Sequence, residues 1–109
     1  MKRFIPLVTR KFSLKVPVDA IIYIQRKDRK LRIVTDTEYY EYYEKLTNIE
    51  QYLDKRFYYC LKTFIINLDK VDMMKEQTIS FQNGEKLTLG RENYIKARQI
   101  YSAYLKQLF

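Results

Sequence analysis

The chain has 109 residues, 47% of them hydrophobic and 31% charged, which fits one globular domain with a modest core rather than a disordered segment. It has no His and one cysteine, so His-based triads and zinc sites and any intrachain disulfide are excluded. The net charge of +8 is unevenly spread: residues 1–32 hold ten Lys and Arg against Asp19 and Asp28, residues 33–55 hold two against six acids, and residues 56–109 hold nine against five. Two parts of the chain can therefore lie on a polyanion and one cannot, although a solvated basic surface alone has the same composition.

The start, Met1 to Val8, resembles that of a signal peptide, but its apolar part is too short and Arg10 and Lys11 close it. Nothing approaches a membrane-spanning length. Residues 1–10 read as a linker or a first strand of a single domain covering 1–109. Residues 4–8 and 12–16 read as short strands separated by Thr9-Arg10-Lys11, and Pro17 sets an edge or corner. Residues 20–25 form a clear strand. Arg26-Lys27-Asp28-Arg29-Lys30 follows with four cations in five residues, then Leu31 to Thr35 alternates, so the pentamer is the tip of a β-hairpin. A turn kept polar to stay wet would look the same.

Residues 38–43 continue as a strand with tyrosines on both faces. The period then changes: Leu46, Ile49 and Leu53 fall at helical spacing, and Thr47 with Glu50 suggests a capping box, giving a short helix near 46–54. Phe57 to Asn67 has no Gly or Pro and reads as one strand buried on most sides, with Lys62 and Thr63 in its middle. Lys62 either snorkels to solvent or faces an anionic partner. Cys60, inside this run, reads as a small core residue, and a single unpaired cysteine fits a cytoplasmic location.

Val71 to Met74 is a further strand. Thr78–Phe81 and Leu87–Leu89 flank Gln82-Asn83-Gly84-Glu85-Lys86, and parity selects the loop. Only a three-residue loop with Gly84 left-handed, and a bulge there, pairs Ile79 with Leu87 and keeps the odd-numbered apolar residues on one face. From about Arg91 a helix begins, with Tyr94, Ala97, Tyr101, Tyr104, Leu105 and Leu108 as its apolar stripe. Arg91 stands at the end where the helix dipole disfavours cations, a cost of about 0.3–1 kcal/mol if exposed. No nucleophile elbow and no glycine-rich phosphate motif is present, so the reading is not an enzyme, with no catalytic residue, cofactor or metal.

Taken in order, four stretches resemble the LytTR DNA-binding domain, the output domain of a class of bacterial response regulators. They are Asp19 to Ile24 before the basic tip, Leu46-Thr47-Asn48-Ile49-Glu50 running to Leu53, Arg56 to Leu68, and Asn83-Gly84 followed by Leu87 to Tyr94. The resemblance implies a mainly β fold of about ten short strands in small antiparallel sheets, which reads successive major grooves of double-stranded DNA through loops rather than a recognition helix. It implies base contacts from Arg29 or Lys30, from Lys62 and from Arg91, where an Arg fork can meet guanine O6 and N7. Arg26, Lys27, Thr63, Lys86 and Asn93 are the phosphate-contact candidates. Asn67 reads as structural, an amide satisfying backbone groups.

Sequence-specific binding for transcriptional regulation follows as the expected function, on direct repeats and with weak or DNA-induced dimerisation. The chain would act as the output domain of a response regulator with a receiver domain, or stand alone. The alternative is a protein-interaction module using the acidic, tyrosine-rich stretch 36–44; single-stranded RNA binding by Tyr stacking is a third reading.

Overall fold

The structure, a computed structural model, describes residues 4–107. Ten strands, all paired antiparallel, lie in three sheets. Strands β1 (Phe4–Val8) and β2 (Ser13–Pro17) form a ribbon. Strands β3 (Ile21–Lys27), β4 (Lys30–Thr35), β5 (Tyr39–Tyr43), β6 (Phe57–Leu61) and β7 (Phe64–Asn67) form a sheet in the order β5-β4-β3-β7-β6. Strands β8 (Val71–Lys75), β9 (Thr78–Phe81) and β10 (Lys86–Thr88) form the third, and the helices are α1 (Leu46–Ile49) and α2 (Arg91–Gln107). The expected mainly β fold, the short helix, which continues as a 3-10 turn over Glu50–Tyr52, and the helix from Arg91 are all present.

The five-stranded sheet is covered on both faces, which is why its inner strands read as unbroken apolar runs. Ile24, cross-paired with Ile33 and Ile65, packs with Ile5, Leu7 and Val16 of the ribbon and with Leu46 and Ile49 of α1. Tyr23, cross-paired with Val34 and Ile66, belongs to the other core with Ile79, Phe81, Leu89, Tyr94 and Ala97. A bulge between Ile21 and Tyr23 lets the adjacent Ile22 and Tyr23 both enter this core, while Ile21 and Ile24 belong to the first. Tyr23 also stacks on Phe64, ring centroids 4.8 Å apart, and its hydroxyl donates to Glu85 Oε1 at 2.9 Å. Burial first, and then that carboxylate, push its pKa up to about 12.

One sequence expectation fails in an informative way. Residues 57–67 are not one strand but the hairpin β6–β7, in which Leu61 pairs with Phe64 across Lys62 and Thr63. The polar pair is the turn itself. A bulge between Tyr59 and Leu61 resets the face alternation, so that Cys60 and Leu61 both pack on the core that holds Phe64, and burial pushes the Cys60 thiol pKa up to about 12. Cys60 is thus the small core residue its neighbours suggested.

The β9–β10 register follows parity: Ile79 opposes Leu87, and Gly84 has φ of +91° in a loop closed by Gly84 N–H donating to the Phe81 carbonyl. The β8–β9 turn was not legible. Glu76 and Gln77 both have positive φ, 51° and 65°, as a type I′ turn requires, although neither is Asn or Gly. Tertiary contacts hold it: Gln77 Nε2 donates to the Leu89 carbonyl, and Leu89 N–H donates to the Gln77 carbonyl. The capping box is also absent. Thr47 makes no cap; instead Glu44 accepts from Lys45 N–H and Asn48 Nδ2, and Glu50 accepts from the Tyr59 hydroxyl. In α2, Tyr94, Ala97, Tyr101 and Tyr104 are buried as expected, Leu105 is 39% exposed, and Leu108 lies outside the described residues.

Candidate nucleic-acid interface

Antiparallel pairing brings two turns to one end of the five-stranded sheet. The β3–β4 turn is Asp28-Arg29, flanked by the paired Lys27 and Lys30, with Asp28 at φ of 59°. This aspartate takes the left-handed position that a two-residue hairpin loop demands, at less cost than a bulky residue would incur. The β6–β7 turn is Lys62-Thr63. Arg26 N–H donates to the Thr63 carbonyl at 2.8 Å, so the second turn is fastened to the strand that carries the first. Two strand spacings separate the turn centres, about 10 Å. That is close to the width of a major groove, about 12 Å.

Arg26, Lys27, Arg29 and Lys62 are exposed, and none has an ion-pair, hydrogen-bond or ring partner for its side chain among the described residues. Lys30 Nζ lies 5.1 Å from the Tyr43 ring centroid. Five cations and Asp28 thus crowd two adjacent turns with no internal counter-ion besides that acid. Like charges so placed raise the local positive potential that attracts a polyanion.

Helix α2 begins at this end and finishes at the other. Asn93 and Lys96 line one shallow concavity with Lys62 and Tyr59, while the Tyr104 hydroxyl near the helix C-terminus bonds the Asp69 carboxylate. Arg91 is exposed at the first position of α2 and unpartnered among the described residues. Two residues before Asn93, it projects about 200° away around the helix axis. Arg91 therefore shares the end, but not the concavity, of Lys62.

Lys86 is separated from the rest. It stands opposite Ser80 on the outer face of the three-stranded sheet, together with Met73 and Lys75. Its neighbouring loop turns to the opposite end, where Gln82 N–H donates to the Lys70 carbonyl and Gln82 Nε2 to the Asp69 carbonyl. Arg10 and Lys11, which the sequence marked only as a strand connector, lie beside the basic turns; they share a groove with Lys30 and Tyr43. The signal that could have found them is the short loop between two paired strands, both of whose central residues are cationic.

At the far end of the same sheet the cations are occupied. Arg56 Nη2 meets Asp54 and Nη1 meets Asp19, both at 2.8 Å. Asp54 above all, then Asp19, hold its guanidinium pKa above the usual value against partial burial. Lys70 meets Asp36 at 3.1 Å. Asn67 is fully buried, its Nδ2 donating to the Ile21 carbonyl at 2.8 Å and its Oδ1 accepting from Asp69 N–H at 3.0 Å. The structural reading of Asn67 is therefore right.

Among the described residues no helix is long and apolar enough to cross a membrane. No curated protein matches the sequence. A solved LytTr DNA-binding domain from Bacillus cereus, in a protein described as a methyl-accepting/DNA response regulator, is similar in fold. Its TM-score is 0.74 at 23% identity, covering 92% of this chain and 97% of that one. The family model for the LytTr DNA-binding domain matches residues 12–102, and the chain belongs to that family of DNA-binding domains.

Proposed function

We propose that residues 1–109 act as one domain that binds double-stranded DNA sequence-specifically in the cytoplasm to regulate transcription. It serves as the output domain of a two-component response regulator or as a stand-alone regulator. The observation that carries this reading is the pair of basic turns, Asp28-Arg29 and Lys62-Thr63, fastened side by side at one end of the sheet, with Arg29 and Lys62 unpaired among the described residues. In this reading Arg29, Lys30, Lys62 and Arg91 reach base edges. Arg presents a planar fork suited to guanine; Lys62 presents a point charge and discriminates less. Arg26, Lys27, Thr63 and Asn93 meet phosphates and fix the register, and Lys86, nearer the opposite end, is the weakest member of that set. Two protomers on direct repeats, joined weakly or only on DNA, are part of the same proposal.

The protein-interaction alternative is disfavoured by what surrounds its residues. Arg32 lies over the Tyr39 ring, Lys30 over the Tyr43 ring, and Asp36 pairs with Lys70, so the acidic, tyrosine-rich stretch has cations of the same chain beside it, although Tyr39 and Tyr43 stay exposed. The test is selection of bound fragments from a random duplex pool, followed by sequencing. Enrichment of a defined motif, repeated with a fixed spacing, supports the reading. A pool that stays random after repeated rounds defeats sequence specificity, and preference for single strands defeats the duplex.

A further inference from the structure

The loop joining β1 to β2 is a third cationic turn. Thr9 N–H donates to the Phe12 carbonyl at 2.8 Å, and Thr9 Oγ1 accepts from Lys11 and Phe12 N–H, both at 3.1 Å. A side chain that captures two amides in this way fixes a loop without glycine. Arg10 and Lys11 are its two exposed central residues, and neither has a partner among the described residues. Between this loop and the β4–β5 end runs an open groove of about 540 Å³. Its walls carry Arg10, Lys11 and Lys30, with Phe12, Val8 and Tyr43 presenting apolar surface; Val8 is 70% and Tyr43 73% exposed. The one acid in the groove, Glu41, has a carboxylate oxygen 3.9 Å from Arg32 Nε.

Cations that alternate with apolar surface suit a strand that alternates phosphate and deoxyribose. We infer that this groove holds the sugar–phosphate backbone of the duplex gripped by the neighbouring turns. Arg10 and Lys11 each neutralise a phosphate beyond those met by Arg26 and Lys27, and Phe12 and Tyr43 lie against sugars. The footprint is thereby longer than the two central turns provide. This inference rests on the DNA-binding reading above.

The test is the salt dependence of binding to a 5′-labelled mixed-sequence duplex of about 30 base pairs, read by fluorescence anisotropy, for the full chain and two double variants. For Arg10→Ala/Lys11→Ala, the log–log slope should flatten by about 1.8 and affinity near 0.1 M salt should fall at least ten-fold. Backbone protection in a hydroxyl-radical footprint should disappear at one edge only. Lys55→Ala/Lys106→Ala removes the same charge away from the groove and should leave the slope unchanged. If both variants match the wild type, or lose slope equally, the groove is not a backbone site, yet the DNA-binding reading stands. If the wild type shows no salt-dependent duplex binding at all, that reading fails and takes this inference with it. An altered base preference in the loop variant, with an unchanged slope, would also overturn the backbone role.

Discussion

The two ends of the five-stranded sheet carry similar side chains in opposite states. At one end Arg56 is clasped by Asp54 and Asp19, Lys70 by Asp36, and Asn67 is sealed among backbone groups. At the other, Arg26, Lys27, Arg29 and Lys62 have nothing to pair with among the described residues. A cation matched inside the fold contributes to stability and is unavailable to a ligand. An unmatched one contributes repulsion to the fold and attraction to a polyanion. The same residue type thus belongs to scaffold or site according to its neighbours, and substitutions should separate the two ends by which quantity they move.

The largest expected effect is at the matched end. Asn67→Ala leaves the buried Ile21 carbonyl and the part-buried Asp69 N–H without their partner, and should destabilise the domain by about 2–3 kcal/mol. Urea unfolding measures this. DNA affinity per folded molecule should stay unchanged, because the side chain points into the protein. Arg29→Ala should behave inversely. Stability should move by no more than about 0.5 kcal/mol, while binding to a selected operator should weaken by about 1–3 kcal/mol with relaxed preference at one base position. Uniform weakening across all sequences would reassign Arg29 from bases to phosphates.

This division was only partly legible in the sequence. The basic pentamer 26–30 announced a hairpin tip, and parity at Ile79 and Leu87 with Gly84 fixed a register, because periodicity and glycine are local signals. The split of residues 57–67 was hidden. Its turn uses Lys62 and Thr63 without Gly, Pro or a positive φ, and the bulge next to Cys60 breaks the alternation that would have exposed two strands. Glu76-Gln77 was hidden for another reason: contacts with Leu89, distant in sequence, hold a turn that its residues do not favour. Among the cations, Arg56 and Lys62 are both members of the family-like stretch. Only the fold shows that the first is bound to Asp19, far away in the chain, and that the second has no partner among the described residues. Arg10 and Lys11 were overlooked because nothing in the sequence folds the first hairpin over the β4–β5 end.

Arg56→Ala should come next in size. Its side chain is only 19% exposed, but both acids it meets are more than half exposed, so solvent screens much of the attraction. A loss of about 1 kcal/mol is expected. Operator affinity should not change, and if it falls as far as in Arg29→Ala, the matched end is also part of the interface.

The smallest effect sharpens the comparison most. Lys70 meets Asp36 through a point charge rather than a fork, and Asp36 is 46% exposed, so Asp36→Asn should cost about 0.5 kcal/mol or less. The same change raises the net positive charge by one, and a binding site open to the whole molecule's field would feel it. The two ends are separated by the length of the strands, about 15–20 Å. That exceeds the Debye length of about 8 Å at physiological salt and falls within the roughly 30 Å reached at 0.01 M. Asp36→Asn should therefore leave duplex affinity unchanged near 0.15 M salt and raise it slightly near 0.01 M. Titrations at both salt concentrations decide the matter: a gain that persists at the higher one would mean that the acidic end lies against the DNA, and that the two ends are not separate in function.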